Sequence, residues 1–168
     1  MSEISASAES GAERLLDAAA ALIAAAPFCW LATPGEGGSV SARPMGRLSP
    51  HPRKTNWTLS FVTDGRSRKS VELRHADRVT LVFDGATRSQ FAALSGVAKI
   101  CAGRDEVESR WRPDFDQYFP TRADRQNAVF VDVAADRMEL WIKGVTPEPF
   151  GMRTTVLLRE ADGRWRML

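Results

Sequence analysis

Cysteine, histidine and long apolar runs are all scarce in this sequence. Only two cysteines and two histidines occur among its 168 residues. Cys29 and Cys101 lie inside apolar runs and lack the spacing of a metal site, so we expect reduced thiols that pack as small hydrophobic groups. His51 and His75 offer little for acid–base chemistry, because a histidine near a helix end, such as His75, is better explained as a dipole partner or a surface residue. No metal site is predicted.

A membrane-spanning segment and a signal peptide are also lacking. The most apolar stretch, residues 15–27, is short, contains Asp17 and follows Glu13 and Arg14. A spanning helix needs about 20 apolar residues, and a secretory leader begins with basic residues. The sequence therefore predicts a cytoplasmic protein without a membrane partner.

Charge of one sign is not in excess. The chain has 23 basic and 21 acidic residues, for a formal net charge of +2. This balance argues against nucleic acid as a partner, although a basic loop over residues 46–56 keeps a local patch open as an alternative. The hydrophobic content of 43% is typical of a soluble globular protein. We expect a disordered tail over residues 1–10 and one domain over residues 11–168, with the hairpin 154–168 as an extension.

The apolar pattern predicts a first helix followed mainly by short strands. The helix covers Glu13–Ala25, and its apolar stripe consists of Leu15, Leu16, Leu22 and Ile23. Period-two alternation and turn residues predict strands over residues 28–33, 39–45, 57–63, 78–83, 91–101, 128–133, 138–143, 154–160 and 164–168. Further helices are predicted over 67–75 and 103–113. Many hairpin-connected strands with few helices favour a largely antiparallel, closed or half-closed barrel.

The segment Thr63–Lys69 carries the main candidate site. Ser67 is placed as the N-cap of a helix that opens with Arg68 and Lys69, although each cation at a helix N-terminus costs about 0.3–1 kcal/mol. A phosphate would compensate, since backbone N–H groups, the hydroxyls of Thr63 and Ser67 and the two cations could converge on it. Arg43 could add a bidentate contact. A solvated basic turn remains the alternative, and the segment is not a P-loop because its glycine spacing and Gly-Lys-Ser/Thr ending are missing.

The order of several short motifs resembles one protein family. Arg43-Pro44-Met45 precedes Trp57-Thr58-Leu59-Ser60-Phe61-Val62-Thr63, and then come Ser67-Arg68-Lys69, residues 78–83 and residues 94–98. This order is similar to that of the pyridoxamine 5′-phosphate oxidase-like superfamily, in particular its general stress protein 26 type. The resemblance runs from about residue 28 to residue 141.

The resemblance implies a mainly β, α+β fold, namely a six-stranded antiparallel split β-barrel with peripheral helices. It also implies a homodimer with FMN at the subunit interface. The residues matched to FMN binding are Arg43, Pro44, Met45, Val62, Thr63, Ser67, Arg68, Lys69, Phe91, Trp111 and Trp141. For Trp111 and Trp141, packing in the dimer core without flavin contact is the alternative.

One departure limits the function that the resemblance implies. Pyridoxamine phosphate oxidases carry an Arg-x-His element after the residue that matches Trp141, and this chain has Ile142-Lys143-Gly144-Val145-Thr146 there. We therefore expect an FMN-dependent oxidoreductase of unknown substrate that is not this oxidase, with NAD(P)H or a small molecule as reaction partner. Hydride transfer at a flavin needs no side-chain nucleophile, which fits the lack of a hydrolase arrangement. A non-catalytic flavin-binding stress or sensor protein and a barrel that binds F420 or haem are the alternatives.

Overall fold

The computed structural model describes residues 2–48, 51–87 and 89–168, with side chains described from residue 11 onward. The described helices are α1 (Ser2–Ala25), α2 (Arg68–His75), α3 (Arg104–Arg110) and α4 (Arg122–Gln126). The described strands are β1 (Phe28–Pro34), β2 (Val40–Gly46), β3 (Thr58–Asp64), β4 (Arg78–Asp84), β5 (Gln90–Cys101), β6 (Ala128–Ile142), β7 (Thr155–Arg159) and β8 (Trp165–Met167). The predicted fold class, mainly antiparallel β with peripheral helices, is confirmed.

The expected number of six strands is wrong, because the C-terminal hairpin joins the main sheet. Eight described strands form one sheet in the order β2-β1-β4-β5-β6-β7-β8, and β3 pairs with β6. All described pairings are antiparallel, and this order leaves the sheet open rather than closed. Strand β7 lies beside β6, and β8 lies beside β7.

Strand β6 organises the sheet, because its two halves have different neighbours. Its first half, residues 128–134, pairs with β3, and residues 137–140 pair with β7. The sequence pattern predicted two strands here, over 128–133 and 138–143, but the structure has one continuous strand of 15 residues. The register with β5 shifts between Ser95 and Gly96, where Asp136 is the extra residue. This bulge changes the buried face without ending the strand.

Helix α1 covers one face of the sheet. Its four predicted stripe residues, Leu15, Leu16, Leu22 and Ile23, are all buried. The helix begins at Ser2, so residues 2–10, predicted as a disordered tail, are helical here; alanine and glutamate in this segment favour continuing the helix. No helix in the described part of the chain is long and apolar enough to cross a membrane.

Two hydrophobic clusters lie on opposite faces of the first half of β6, because Phe130 belongs to one cluster and its neighbour Val131 to the other. The larger joins α1 to alternate residues of the strands, including Leu31, Phe61, Leu81, Leu94 and Leu140. The smaller consists of Cys101, Val107, Phe115, Phe119, Ala128 and Phe130. It fixes the segment between β5 and β6 against the first half of β6.

Helix α4 was not predicted from the sequence. The Thr121 side chain caps it by accepting a hydrogen bond from the Asp124 backbone N–H, and the Asp124 carboxylate accepts one from the Thr121 backbone N–H. This reciprocal capping box requires a hydroxyl residue followed three positions later by an acidic acceptor, so the Thr121–Asp124 spacing was a readable signal.

The basic loop predicted over residues 46–56 packs largely against α1. Arg53 makes ion pairs with Glu13 at 2.5 Å and Asp17 at 3.2 Å. Arg47 donates a hydrogen bond to the Ala24 carbonyl at 3.0 Å. Residues 49 and 50 of this loop lie outside the described residues. The charges of Arg53 are thus matched within the fold, whereas His51 and Lys54 are exposed.

Candidate functional site

A cavity of about 500 Å³ lies between β2, β3, the start of α2 and the segment 112–119. We call it the β2–β3 cavity. Its lining includes Pro27, Phe28, Pro44, Met45, Gly46, Arg47, Leu48, Val62, Thr63, Asp64, Lys69, Arg112, Asp114, Phe115, Gln117, Tyr118, Phe119 and Asp124. The volume lies within the range of small-molecule and cofactor sites, about 300–1,000 Å³.

Five of the predicted site residues line this cavity: Pro44, Met45, Val62, Thr63 and Lys69. Alternation along the strands gives them different roles. Met45 and Thr63 are buried, whereas Pro44 lies on the exposed face of the edge strand β2. Proline suits this position, because an edge strand does not need every backbone N–H for pairing. The cavity therefore has a backbone wall from β2 and a hydroxyl at the end of β3.

Lys69 is a cation of the β2–β3 cavity that is half-buried without a direct ionic partner among the described residues. It is half-buried in the first turn of α2, and it makes no hydrogen bond or ion pair with any residue in the described ranges 2–48, 51–87 and 89–168. Burial lowers its pKa, the nearby positive charge of Arg43 lowers it further, and the charge of Asp64 offsets part of this shift. A half-buried ammonium beside a second cation is unfavourable unless an anion approaches both groups.

Arg43 lies on the same face of β2 as Met45 but does not itself line the cavity, and residues of two other elements bind its side chain. Its Nη2 is 2.6 Å from Glu72 Oε2 on α2, and its Nη1 donates to Thr33 Oγ1 on β1 at 2.5 Å. Thr33 Oγ1 in turn donates to Glu72 Oε2 at 2.7 Å. The sequence predicted Arg43 as a site residue but gave no indication of Thr33 or Glu72 as its partners.

Ser67 and Arg68 do not line the cavity. Ser67 is the N-cap residue of α2, as predicted, but its side chain makes no capping bond and instead contacts Ser70 Oγ at 3.0 Å. Arg68 is 77% exposed and lies 3.3 Å from Glu72 Oε1. The start of α2 therefore has no side-chain cap. Of the three residues of this segment predicted to bind phosphate, Ser67, Arg68 and Lys69, only Lys69 contributes to the cavity wall.

Asp64 brings a negative charge to the same end of the cavity. Its carboxylate accepts hydrogen bonds from the Arg66 backbone N–H at 2.7 Å and from Arg66 Nη2 at 2.6 Å. These bonds lower the pKa of Asp64, so the carboxylate is ionised and paired. Asp64 therefore pairs directly with Arg66, and its charge also acts on the Lys69 ammonium without a direct ion pair.

The predicted aromatic residues lie away from the cavity in the single chain. Phe91 and Trp141 are direct register partners on β5 and β6. Trp111 lines a second cavity, of about 570 Å³, between α3 and α4. Its ring packs edge-on against Phe115 and Phe119, both of which line the β2–β3 cavity from the other side. Trp111 therefore supports the wall of the cavity without facing it.

The segment after α3 supplies a wall that the sequence analysis did not assign to the site. Arg112, Phe115, Gln117, Tyr118 and Phe119 line the cavity from this side. Phe115 and Phe119 are buried, whereas Tyr118 is 67% exposed. Arg47, predicted only as part of the basic loop 46–56, also lines the cavity, and so does Phe28, which was not predicted as a site residue. The cavity thus combines an apolar side with three cations (Arg47, Lys69 and Arg112) and three acids (Asp64, Asp114 and Asp124).

Three potential metal ligands, Cys101, Glu106 and Asp132, lie with their ligand atoms within 4.8 Å of one another. Arg110 already occupies this group, with its two Nη atoms 2.9 and 2.7 Å from the Asp132 carboxylate oxygens. Burial, together with the neighbouring acids, raises the pKa of Cys101 to about 11. The thiol is therefore protonated, and the acids are matched by a guanidinium rather than arranged for a cation.

A family model described as pyridoxamine 5′-phosphate oxidase like matches residues 16–152 of the chain. No curated protein sequence gives a match. Among solved structures, a Clostridium acetobutylicum protein related to general stress protein 26 of the pyridoxinephosphate oxidase family is similar, with a TM-score of 0.70 and 16% identity. The similarity covers 87% of this chain and 95% of that one.

Two further structures show the same fold. A pyridoxamine 5′-phosphate oxidase-related, FMN binding protein from Nostoc punctiforme gives a TM-score of 0.65 at 14% identity, over 94% of this chain and 92% of that one. PhzG from Burkholderia lata, solved in complex with tetrahydrophenazine-1-carboxylic acid, gives 0.64 at 18% identity, over 93% and 88%. Identities this low establish the fold alone.

Proposed function

The chain belongs to the pyridoxamine 5′-phosphate oxidase like family, and on that basis we propose that its β2–β3 cavity binds FMN for a redox reaction on a small molecule. The observation that carries this proposal is Lys69, which lines the cavity half-buried and without an ion pair in the described part of the chain. A phosphate group would give Lys69 a direct ion pair, which Asp64 does not, and would oppose the lowering of the Lys69 pKa.

The residues present fit both the phosphate and the flavin ring of such a cofactor. At the phosphate end, Lys69 and the buried Thr63 hydroxyl offer donors, and Arg43 lies near enough to lower the lysine pKa. Along β2, the Pro44–Met45 backbone provides a flat wall, and Phe115 and Phe119 provide buried apolar surface opposite. Planar aromatic ligands bind in sites of this composition, with few polar groups fixing their orientation.

Bound FMN would supply the redox chemistry, accepting a hydride and passing electrons to an acceptor. The protein's own residues would bind, orient and exclude water. The lysine and threonine hold the phosphate, the aromatic pair Phe115 and Phe119 keeps solvent from the ring, and the exposed Tyr118 leaves an entrance for a small substrate or for NAD(P)H. None of these roles requires a side-chain nucleophile.

A homodimer with a shared site is part of the proposal. The outward face of the sheet carries exposed Phe28, Trp30 and Val82, which are 61%, 53% and 37% exposed. The register places Trp30 directly between Pro44 and Val82. Adjacent exposed apolar residues on a sheet face are typical of an interface. Because this face begins at the cavity residues Phe28 and Pro44, a second copy seated on it would bring its own aromatic residues to the cavity.

Absorbance titration of the purified protein with FMN and with riboflavin tests the cofactor. We expect one FMN per chain, much weaker binding of riboflavin, which lacks the phosphate, and loss of this difference in Lys69→Met. Equal binding of the two flavins, or no binding of either, would reject the phosphate site. Binding of F420 or haem in place of FMN would identify a different cofactor.

Turnover is tested separately on the FMN-loaded protein. Under anaerobic conditions, bleaching of the flavin by NADH or NADPH, followed by recovery when an acceptor is added, would support an oxidoreductase. A flavin that neither nucleotide reduces would instead favour a flavin-binding stress or sensor protein.

A further inference from the structure

The Glu72 carboxylate connects three elements behind the β2–β3 cavity. On α2, it lies 2.6 Å from Arg43 Nη2 of β2, accepts a hydrogen bond from Thr33 Oγ1 of β1 at 2.7 Å, and lies 3.3 Å from Arg68 Nε. The Glu72 and Arg43 side chains are only 14% and 16% exposed. This pair is thus largely shielded from water, in contrast to the Arg68–Glu72 pair, whose arginine is 77% exposed.

The contacts fix the guanidinium of Arg43 in one orientation. Nη1 donates to Thr33 Oγ1 at 2.5 Å and to the Leu31 carbonyl at 3.4 Å, and Nη2 donates to Glu72. A guanidinium has five N–H donors. Described protein atoms therefore accept three of these bonds, and the other two N–H groups have no acceptor among the described residues. Thr33 is 1% exposed, so this side of the guanidinium is closed to solvent.

The same arrangement keeps two cations close together. Arg43 is near enough to Lys69 for its charge to lower the lysine pKa. Glu72 offsets part of this repulsion, and the bond from Thr33, followed by that from Arg43, lowers its own pKa, so that it is ionised at neutral pH. Without this carboxylate, Arg43 would face Lys69 with no fixed counter-charge, and its side chain would gain rotamer freedom.

We propose that Glu72 is a positioning residue: it holds Arg43 beside Lys69 so that both cations address one phosphate, and it does not contact the ligand itself. This inference rests on the proposed FMN site. The opposite role is also testable. If Glu72 instead competed with the phosphate for Arg43, removing its charge would strengthen binding rather than weaken it.

The experiment compares Glu72→Gln with the unmodified protein, using FMN and riboflavin as the two probes. Glutamine keeps the size and an acceptor for Thr33 but removes the charge. We expect the Kd for FMN to rise about 10-fold or more, as for loss of a charged hydrogen bond, while the Kd for riboflavin stays unchanged. A merely structural role would weaken the binding of both flavins alike. The ratio of the Kd for FMN to the Kd for riboflavin therefore separates the two roles.

Three further variants keep the test decisive. Thr33→Val removes the hydroxyl that bridges Arg43 and Glu72, and should likewise raise the Kd for FMN relative to the Kd for riboflavin. Glu108→Gln, on α3, removes an acid that also pairs with an arginine four residues away but is 66% exposed, and should leave both Kd values unchanged. In an Arg43→Met background, Glu72→Gln should have no further effect on FMN binding, because Glu72 acts through Arg43.

The outcomes separate this inference from the proposed function. If the unmodified protein does not prefer FMN over riboflavin, the phosphate site itself is wrong. If it does, and Glu72→Gln binds FMN as well as or more tightly than the unmodified protein, the positioning role is overturned while the phosphate site stands.

Discussion

Phe91 and Trp141 lie directly opposite each other on β5 and β6, half-buried on the outward face of the sheet. The next row on this face runs through Pro44, Trp30, Val82 and Ala93, which are register neighbours in turn. Strands β4 and β5 separate β6 from β1. In one chain the Phe91–Trp141 pair is therefore remote from the cavity, yet it shares a continuous face with residues at the cavity edge.

The first prediction concerns this face. Trp30→Glu places a charge in the centre of the proposed dimer interface and should convert the protein to a monomer, because desolvating an unpaired carboxylate is strongly unfavourable. Light scattering measures the mass. FMN binding should weaken in parallel if the partner's Trp141 contributes to the site.

Val71→Glu is the matched control for Trp30→Glu. Val71 is 45% exposed but lies on α2 rather than on the sheet face. It should leave the mass unchanged. A protein that is monomeric before any substitution would contradict the shared-site proposal directly.

The sequence allowed the local elements to be predicted better than the contacts between them. The apolar stripe of α1 and the ends of most strands follow from periodicity within ten or twenty residues. The continuity of β6 does not, because the bulge at Asp136 depends on pairing with β5. The Thr33–Glu72 contact joins residues 39 positions apart, so no local pattern indicates it. For the same reason, Arg43 could be predicted as a site residue but its orientation could not.

The second prediction is a pH dependence of FMN binding that originates at Lys69. Burial and Arg43 lower its pKa below the ordinary 10.5, so the free protein loses this charge at a lower pH than an exposed lysine would. A bound phosphate favours the charged form, and FMN affinity should fall as the pH rises through this alkaline range. Lys69→Arg stays charged and should lose that dependence.

Calorimetry in two buffers of different ionisation enthalpy measures the associated proton uptake. Riboflavin serves as the control, because it shares the titrating ring system with FMN but has no phosphate. If the ratio of the Kd for FMN to the Kd for riboflavin stays constant across the alkaline range, Lys69 is not the phosphate contact.

The third prediction concerns Gly96 at the bulge between β5 and β6. A Cβ at this position would lie 2.1 Å from the Ala134 carbonyl oxygen and 2.8 Å from the Ala135 Cα, both backbone atoms that cannot move aside without breaking the pairing. Gly96→Ala should therefore cost about 3 kcal/mol or more in free energy of unfolding, as for an overpacked core. Urea denaturation measures the change.

Gly11→Ala provides the comparison for Gly96→Ala, because a Cβ at residue 11 of α1 meets nothing within 4 Å. Alanine should stabilise the helix there by about 0.5–1 kcal/mol. Equal stabilities of the two variants would mean that the bulge tolerates a side chain and does not fix the register of β6.

The last prediction tests the Arg110–Asp132 pair at the smaller hydrophobic cluster. Asp132 accepts two bonds from Arg110 and one from Ser60 Oγ at 2.6 Å, and the guanidinium lies 4.1 Å over the Phe130 ring. Asp132→Asn removes the closer of the two acidic partners of Arg110, leaving Glu106 at 3.7 Å, and should cost about 1–3 kcal/mol at neutral pH. Burial opposes ionisation of Asp132, but these bonds outweigh it and lower its pKa below 3.8. The stabilisation is therefore present above pH 3.8 and is lost as the pH falls through the lowered pKa, so the two proteins should converge in acid. Asp162→Asn, which removes an exposed partner of another arginine, should leave the free energy of unfolding nearly unchanged. A similar loss in both variants would show that the Asp132 pair gains nothing from its partial burial.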